Sequence, residues 1–156
     1  MIKSVSISLL LVAATFSTTT QAADAAATDS LVRYESRYSV AETADRFEHI
    51  VKQKGLTLFT RIDHQKNARG VDLELRPTEV IIFGNPKVGT LLMQCAQDMA
   101  IDLPQKVLIT EDADNKVWLS YNNPEYLKKR HHITGCDAVI GKISGVLGAL
   151  SQAAVQ

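Results

Sequence analysis

The chain has no excess of charge: seventeen Lys and Arg stand against seventeen Asp and Glu. A nucleic-acid binder draws most of its affinity from neutralising phosphates, so this balance argues against nucleic acid as a partner. The basic residues Arg61, Lys66, Arg69 and Arg76 are also interleaved with Asp63, Asp72 and Glu74 rather than gathered on one stretch. Cysteine is scarce. The two present, Cys95 and Cys136, form no Cys-x-x-Cys motif, which argues against redox chemistry of the thioredoxin type. The four histidines do not fall with cysteines or carboxylates at zinc-ligand spacing, so neither a metal nor another cofactor is expected. Asp102, Glu111, Asp112 and Asp114 lack the glycine and terminal glutamate of a calcium loop, and residues 112–115 read as a hairpin turn.

Long apolar runs are equally few. The one near the start, residues 7–16, follows Lys3 and precedes the small, polar stretch 18–22 ending Thr20-Gln21-Ala22. That order is a cleavable export signal, and the run is short of the roughly 20 residues a membrane span needs. Residues 1–22 are therefore read as a signal peptide, with a mature chain from about Ala23 that is periplasmic or secreted. Loss of Lys3 leaves one more acidic than basic residue. No later segment is expected to cross a bilayer, so no membrane association is expected after cleavage. Residues 23–30 are an Ala-rich flexible leader, and 31–154 form one domain, in keeping with a chain of 156 residues that are 46% hydrophobic.

Residues 31–38 alternate as a first strand. Ser39-Val-Ala-Glu42 is a capping-box pattern, and Val40, Ala44, Phe47, Ile50 and Val51 follow at helical spacing until Gly55. A strand over 56–62 leads into a polar turn, residues 63–70. Val71, Leu73 and Leu75 alternate with Asp72, Glu74 and Arg76 and predict a half-buried strand. The continuous apolar run Val80-Ile-Ile-Phe83 predicts a central strand covered on both faces. Asn85-Pro86 then starts a helix with Val88, Leu91, Leu92, Cys95 and Met99 on one face. Two strands, 104–110 and 116–121, form a hairpin. Asn123-Pro124 starts a short helix, and Cys136, Val139, Ile140, Ile143, Leu147 and Leu150 mark a last helix. Its Gly141, Gly145 and Gly148 predict close backbone approach. The fold class is α+β: a mixed or antiparallel sheet with helices packed mainly on one face.

Arg61-Ile-Asp-His64, Phe83-Gly-Asn-Pro86, Asp102-Leu-Pro104 and Trp118-Leu-Ser-Tyr121 followed by Pro124 together resemble the DUF302 family, small α+β domains of bacteria and archaea. The resemblance runs from about Tyr34 to His131. It implies a sheet-plus-helix domain, allows a homodimer, and brings no substrate or mechanism with it.

His64, beside Asp63 after a strand, is a candidate acid or base oriented by that carboxylate; the alternative is that Asp63 caps the turn and His64 is structural. Gly84 to Gly89 has the outer glycine spacing of a phosphate loop, but Thr90 stands where the lysine belongs and Pro86 removes a donor. Either an anion rests at this helix N-terminus or the turn merely aims the helix. Tyr121, Trp118 and Phe83 are core or frame an apolar cleft near Asn85 and His64. His131-His132 follows Lys128-Lys-Arg130 and complements a helix C-terminus. Cys95 and Cys136 are either a disulfide or two buried thiols. The leading expectation is an exported domain that binds a small molecule or protein partner without catalysis, through His64, Asn85 and Tyr121. The alternatives are a hydrolase-like or other enzyme using His64 and Asp63, and a dimeric accessory protein.

Overall fold

The computed structural model describes residues 30–156; the expected signal peptide, and all but the last residue of the leader expected after it, lie outside the described residues. Five strands form one sheet in the order β1-β5-β4-β3-β2: β1 (Leu31–Ser36), β2 (Thr57–Asp63), β3 (Thr78–Gly84), β4 (Gln105–Glu111) and β5 (Val117–Asn122). Every neighbouring pair is antiparallel. Helices α1 (Val40–Gln53), α2 (His64–Arg69), α3 (Pro86–Cys95), α4 (Pro124–Arg130) and α5 (Asp137–Val155) complete the α+β domain, with a 3-10 turn over Gln97–Ile101.

Local chemistry sets where the helices start. The Ser39 hydroxyl accepts the Glu42 N–H, and the Glu42 carboxylate accepts the Ser39 N–H, satisfying two donors that the first turn of α1 leaves open. Gly55 follows α1 at φ +67°, a left-handed conformation that costs glycine nothing. Asn85 and Asn123 cap α3 and α4 through the N–H groups of Lys87 and Glu125, with Pro86 and Pro124 just inside each helix.

The core lies between one face of the sheet and helices α1 and α5. Ile81, Phe83, Val107, Ile109 and Leu119 meet Val40, Ala44, Phe47 and Val51 of α1 and Ile140, Leu147 and Leu150 of α5, all buried. Phe47 and Phe83 pack edge to face with centroids 5.0 Å apart. Arg61 of β2 pins α1 to the sheet, pairing with the buried Glu79 of β3 and with Asp45 of α1 at 2.5 Å.

Several expectations are corrected. β3 is buried on alternate residues only: Val80 and Ile82 point to the uncovered face and stay half-exposed. No strand forms over 71–75, because β3's neighbours end where it begins, at Asp63↔Glu79 and Thr78↔Thr110. Val71, Leu73 and Leu75 are therefore exposed, at 65%, 63% and 42%. Helix α3 stops at Cys95, leaving Met99 in the 3-10 turn and Leu91 on the surface. Of the three glycines in α5, only Gly148 meets a neighbour, the Tyr34 and Tyr121 hydroxyls at 3.5 and 3.8 Å from an added Cβ; Gly141 and Gly145 face open space. By length and composition α5 is also apolar enough to cross a membrane, with 19 residues at mean hydropathy 1.5, contrary to expectation; here it packs on the sheet as a core helix.

Candidate functional site

The site grows from the end of β3. Asn85 turns the chain out of the sheet, its side-chain Oδ1 accepts the Lys87 N–H at 3.0 Å, and its carbonyl accepts the N–H groups of Val88 and Gly89. Pro86 has no N–H to offer. The donors of the first turn are thus taken within the chain, and the anion seat considered for this helix terminus is not open. The turn aims α3 across the molecule so that a cleft of about 540 Å³ remains between α3, α5 and the chain around Leu103 and Pro104. That volume lies within the roughly 300–1,000 Å³ typical of small-molecule sites.

Phe83, Val88, Leu92, Leu103, Ile143 and Leu147 form the apolar interior of the cleft. Phe59 and Val146 stand at its mouth, 49% and 41% exposed. Its polar side chains are Asn85, Thr90, Gln105 and Lys142; no His, Asp, Glu, Ser or Cys lines it among the described residues. Gly89 belongs to this wall. It sits inside α3, where glycine costs about 1 kcal/mol relative to alanine. Neither conformation nor crowding demands it, since an added Cβ would meet only Leu103 Cδ1, at an ordinary 3.8 Å. What its missing side chain leaves is room in the cleft.

The structure separates the residues expected to act together. In the antiparallel β2–β3 register, Thr57 pairs with Gly84 and Asp63 with Glu79. Asn85 and His64 therefore lie beyond opposite ends of the same strand, about 20 Å apart at the strand rise of ~3.4 Å per residue. His64 is the first residue of α2, half-buried, and Asp63 caps that helix through the Lys66 N–H at 2.8 Å. A ligand beside Asn85 is out of reach of both. Tyr121 is in the core, 5% exposed; burial and a hydrogen bond with Tyr34 push its phenol pKa upward. Of the proposed trio, only Asn85 lines the cleft.

Cys95 and Cys136 form a disulfide with Cα atoms 6.5 Å apart, joining the last residue of α3 to the residue preceding α5. His131 caps the end of α4, its Nε2 lying 2.5 Å from Asp102 Oδ2, while Arg130 approaches the other carboxylate oxygen at 3.4 Å. This cluster ties α4 to the chain before β4. Asp112 accepts the N–H groups of Asp114 and Lys116 and the Trp118 indole N–H, at 2.8–2.9 Å, as a hairpin-turn carboxylate does. No group of three or more His, Cys, Asp or Glu side chains is arranged to hold a metal among the described residues.

The cleft residues Phe59, Gly89, Lys142 and Val146 were not singled out as a site by sequence reasoning. One signal was available: Gly89 reads as a failed phosphate loop, but it is also a glycine in a helix interior.

Among solved structures, the fold is similar to that of an uncharacterised conserved DUF302 protein from Bacillus stearothermophilus, with a TM-score of 0.72 over 80% of this chain and 97% of that one. At 15% identity this is a likeness of fold alone. By sequence, the chain is 48% identical over 103 residues to proteins of Brucella suis and Brucella abortus named Fluoride-specific ion channel FluC 1. The match covers 66% of this chain but only 41% and 38% of those proteins. The model of the domain of unknown function DUF302 matches residues 32–150, and the chain belongs to the DUF302 family.

Proposed function

We propose that the protein is an exported binding domain that takes one apolar small molecule into the cleft between α3 and α5 and performs no chemistry on it. The observation that carries this reading is the cleft itself, about 540 Å³ and apolar, with a helix-interior glycine in its wall. The described lining side chains support binding without catalysis, because no His, Asp, Glu, Ser or Cys stands among them. Asn85, Gln105 and Lys142 supply polar contacts for one end of the ligand, which orients it. The N-terminal sequence supports export, and a disulfide is at home in an oxidising compartment. The mature protein titrated with N-phenyl-1-naphthylamine, a neutral fluorescent apolar probe, is expected to bind it saturably at one site per chain. Absence of saturable binding would overturn the proposal.

A second reading is favoured by the Brucella relatives, where a segment like this one forms part of longer proteins named fluoride-specific ion channels. On this reading the domain acts beside such a channel and contributes to fluoride tolerance. Deleting its gene should then lower growth in sodium fluoride; unchanged tolerance would remove the reading.

A further inference from the structure

We infer that residues 73–76 form a self-association arm, pairing antiparallel with the same residues of a second copy about an axis at Leu75. The segment leads straight into β3 but lies past the last rungs that β2 and β4 provide. Asp72, at φ 58°, turns the chain out of the loop after α2, and the Pro77 carbonyl accepts the Glu111 N–H where the sheet begins. Between those two points the N–H groups of Glu74, Leu75 and Arg76 make no hydrogen bond within the chain among the described residues. Leu73 and Leu75 alternate with charged residues as a strand's would, yet both are large apolar side chains held in solvent, at 63% and 42% exposure. Open strand-edge donors beside exposed aliphatics are a template for another strand.

The charges select the occupant and the register. With Leu75 opposite Leu75 of the second copy, Glu74 of each copy faces Arg76 of the other, giving two opposite-charge pairs and no like-charge pair. Centring on Leu73 would set Asp72 against Glu74 twice, and centring on Glu74 would set that carboxylate against itself. Like charges directly opposite destabilise a strand pair, whereas opposite charges favour it. Arg76 donates through Nε to the Glu111 carbonyl at 3.2 Å, which leaves the outer guanidinium nitrogens for the partner's carboxylate. The pairing does not use the cleft, so it stands or falls separately from ligand binding.

A two-stranded ribbon is a small interface, so the association should be weak and reversible. Sedimentation equilibrium of the mature chain should show a monomer–dimer equilibrium, and hydrogen exchange should show the amides of Glu74 and Arg76, which share one strand edge, gaining protection as concentration rises. Glu74→Arg and Arg76→Glu should each weaken the dimer about ten-fold or more, and the double exchange should restore it to within about two-fold, with melting temperatures unchanged. A wild-type chain that stays monomeric at millimolar concentration would overturn the inference. So would single exchanges that leave the dimer intact, or a double exchange that fails to restore it.

Discussion

Replacing Gly89 by leucine separates the cost of the cleft from its use. Glycine in the interior of α3 is about 1 kcal/mol worse than alanine, and leucine is nearly as good a helix former as alanine. The added Cβ meets Leu103 Cδ1 at 3.8 Å, so the new side chain enters free space rather than a neighbour. Beyond the propensity gain, its terminal carbons enter a cleft with an apolar lining, where each methylene removed from water adds ~0.8 kcal/mol. Gly89→Leu should therefore stabilise the fold by about 1–2 kcal/mol, raising the melting midpoint by roughly 3–10 °C for a domain of this size. The same side chain occupies the space a ligand needs, so saturable binding of N-phenyl-1-naphthylamine should fall at least ten-fold. Thermal melting by circular dichroism and a fluorescence titration on one preparation read both effects. A variant that is more stable yet binds with unchanged affinity would refute the placement of the site. A less stable variant would refute the argument that nothing else requires glycine there.

Three other perturbations test the frame around the cleft. Arg61→Met should cost about 2–3 kcal/mol in denaturant unfolding, because it strands the buried Glu79 carboxylate; Arg61→Met/Glu79→Met should recover most of that loss. Asp112 is held below its ordinary pKa of 3.8 by the Trp118 indole N–H and then by the Lys116 backbone N–H. Its contribution is fully present above that ordinary value and is lost as pH falls through the lowered one, so the melting midpoints of wild type and Asp112→Asn should converge in acid and diverge above pH ~4. Removing the Cys95–Cys136 bridge, which closes a span of 41 residues, should cost about 4 kcal/mol in the chain-entropy model, read by denaturant titration of Cys95→Ser/Cys136→Ser.

What the sequence made legible was local. The capping box at Ser39 and the two Asn-Pro starts need only residues within one helical turn, and each is found as expected. A sheet with its helices gathered mainly on one face also followed, expected as mixed or antiparallel and found antiparallel throughout, and the hairpin of β4 and β5 is present as read. Readings that required a partner failed. Alternation over Val71, Leu73 and Leu75 has the strand period, but a strand exists only where another pairs with it, and here the neighbours have ended. The apolar run of β3 implied two covered faces; Val80 and Ile82 show that such a run can stop at one covered face and leave the other open. His64 and Asn85 looked close because both flank strands that pair. An antiparallel register places the start of one beside the end of the other, and so sends them apart.

Phe83 and Asn85 were read beside an apolar cleft and both line it, but the rest of the cleft was illegible, because its shape is set by anchors outside it. Its two helical walls, α3 and α5, are tied by the disulfide between the last residue of one and the residue before the other. The far half of α5 is drawn onto the sheet at Gly148, where the absent side chain admits the Tyr34 and Tyr121 hydroxyls. The start of α3 is aimed by Asn85 and Pro86, which fix its departure from β3. Between these three anchors the helices are held apart rather than allowed to collapse, and a glycine in α3 keeps the gap from filling. Tyr121 and Cys136, expected at the site or left open as a thiol, therefore bear on the cleft without lining it: one sets the depth of α5, the other its distance from α3. A cavity maintained by a covalent tie, a close-approach glycine and a capped turn is a pre-organised one, which lowers the ordering cost of filling it.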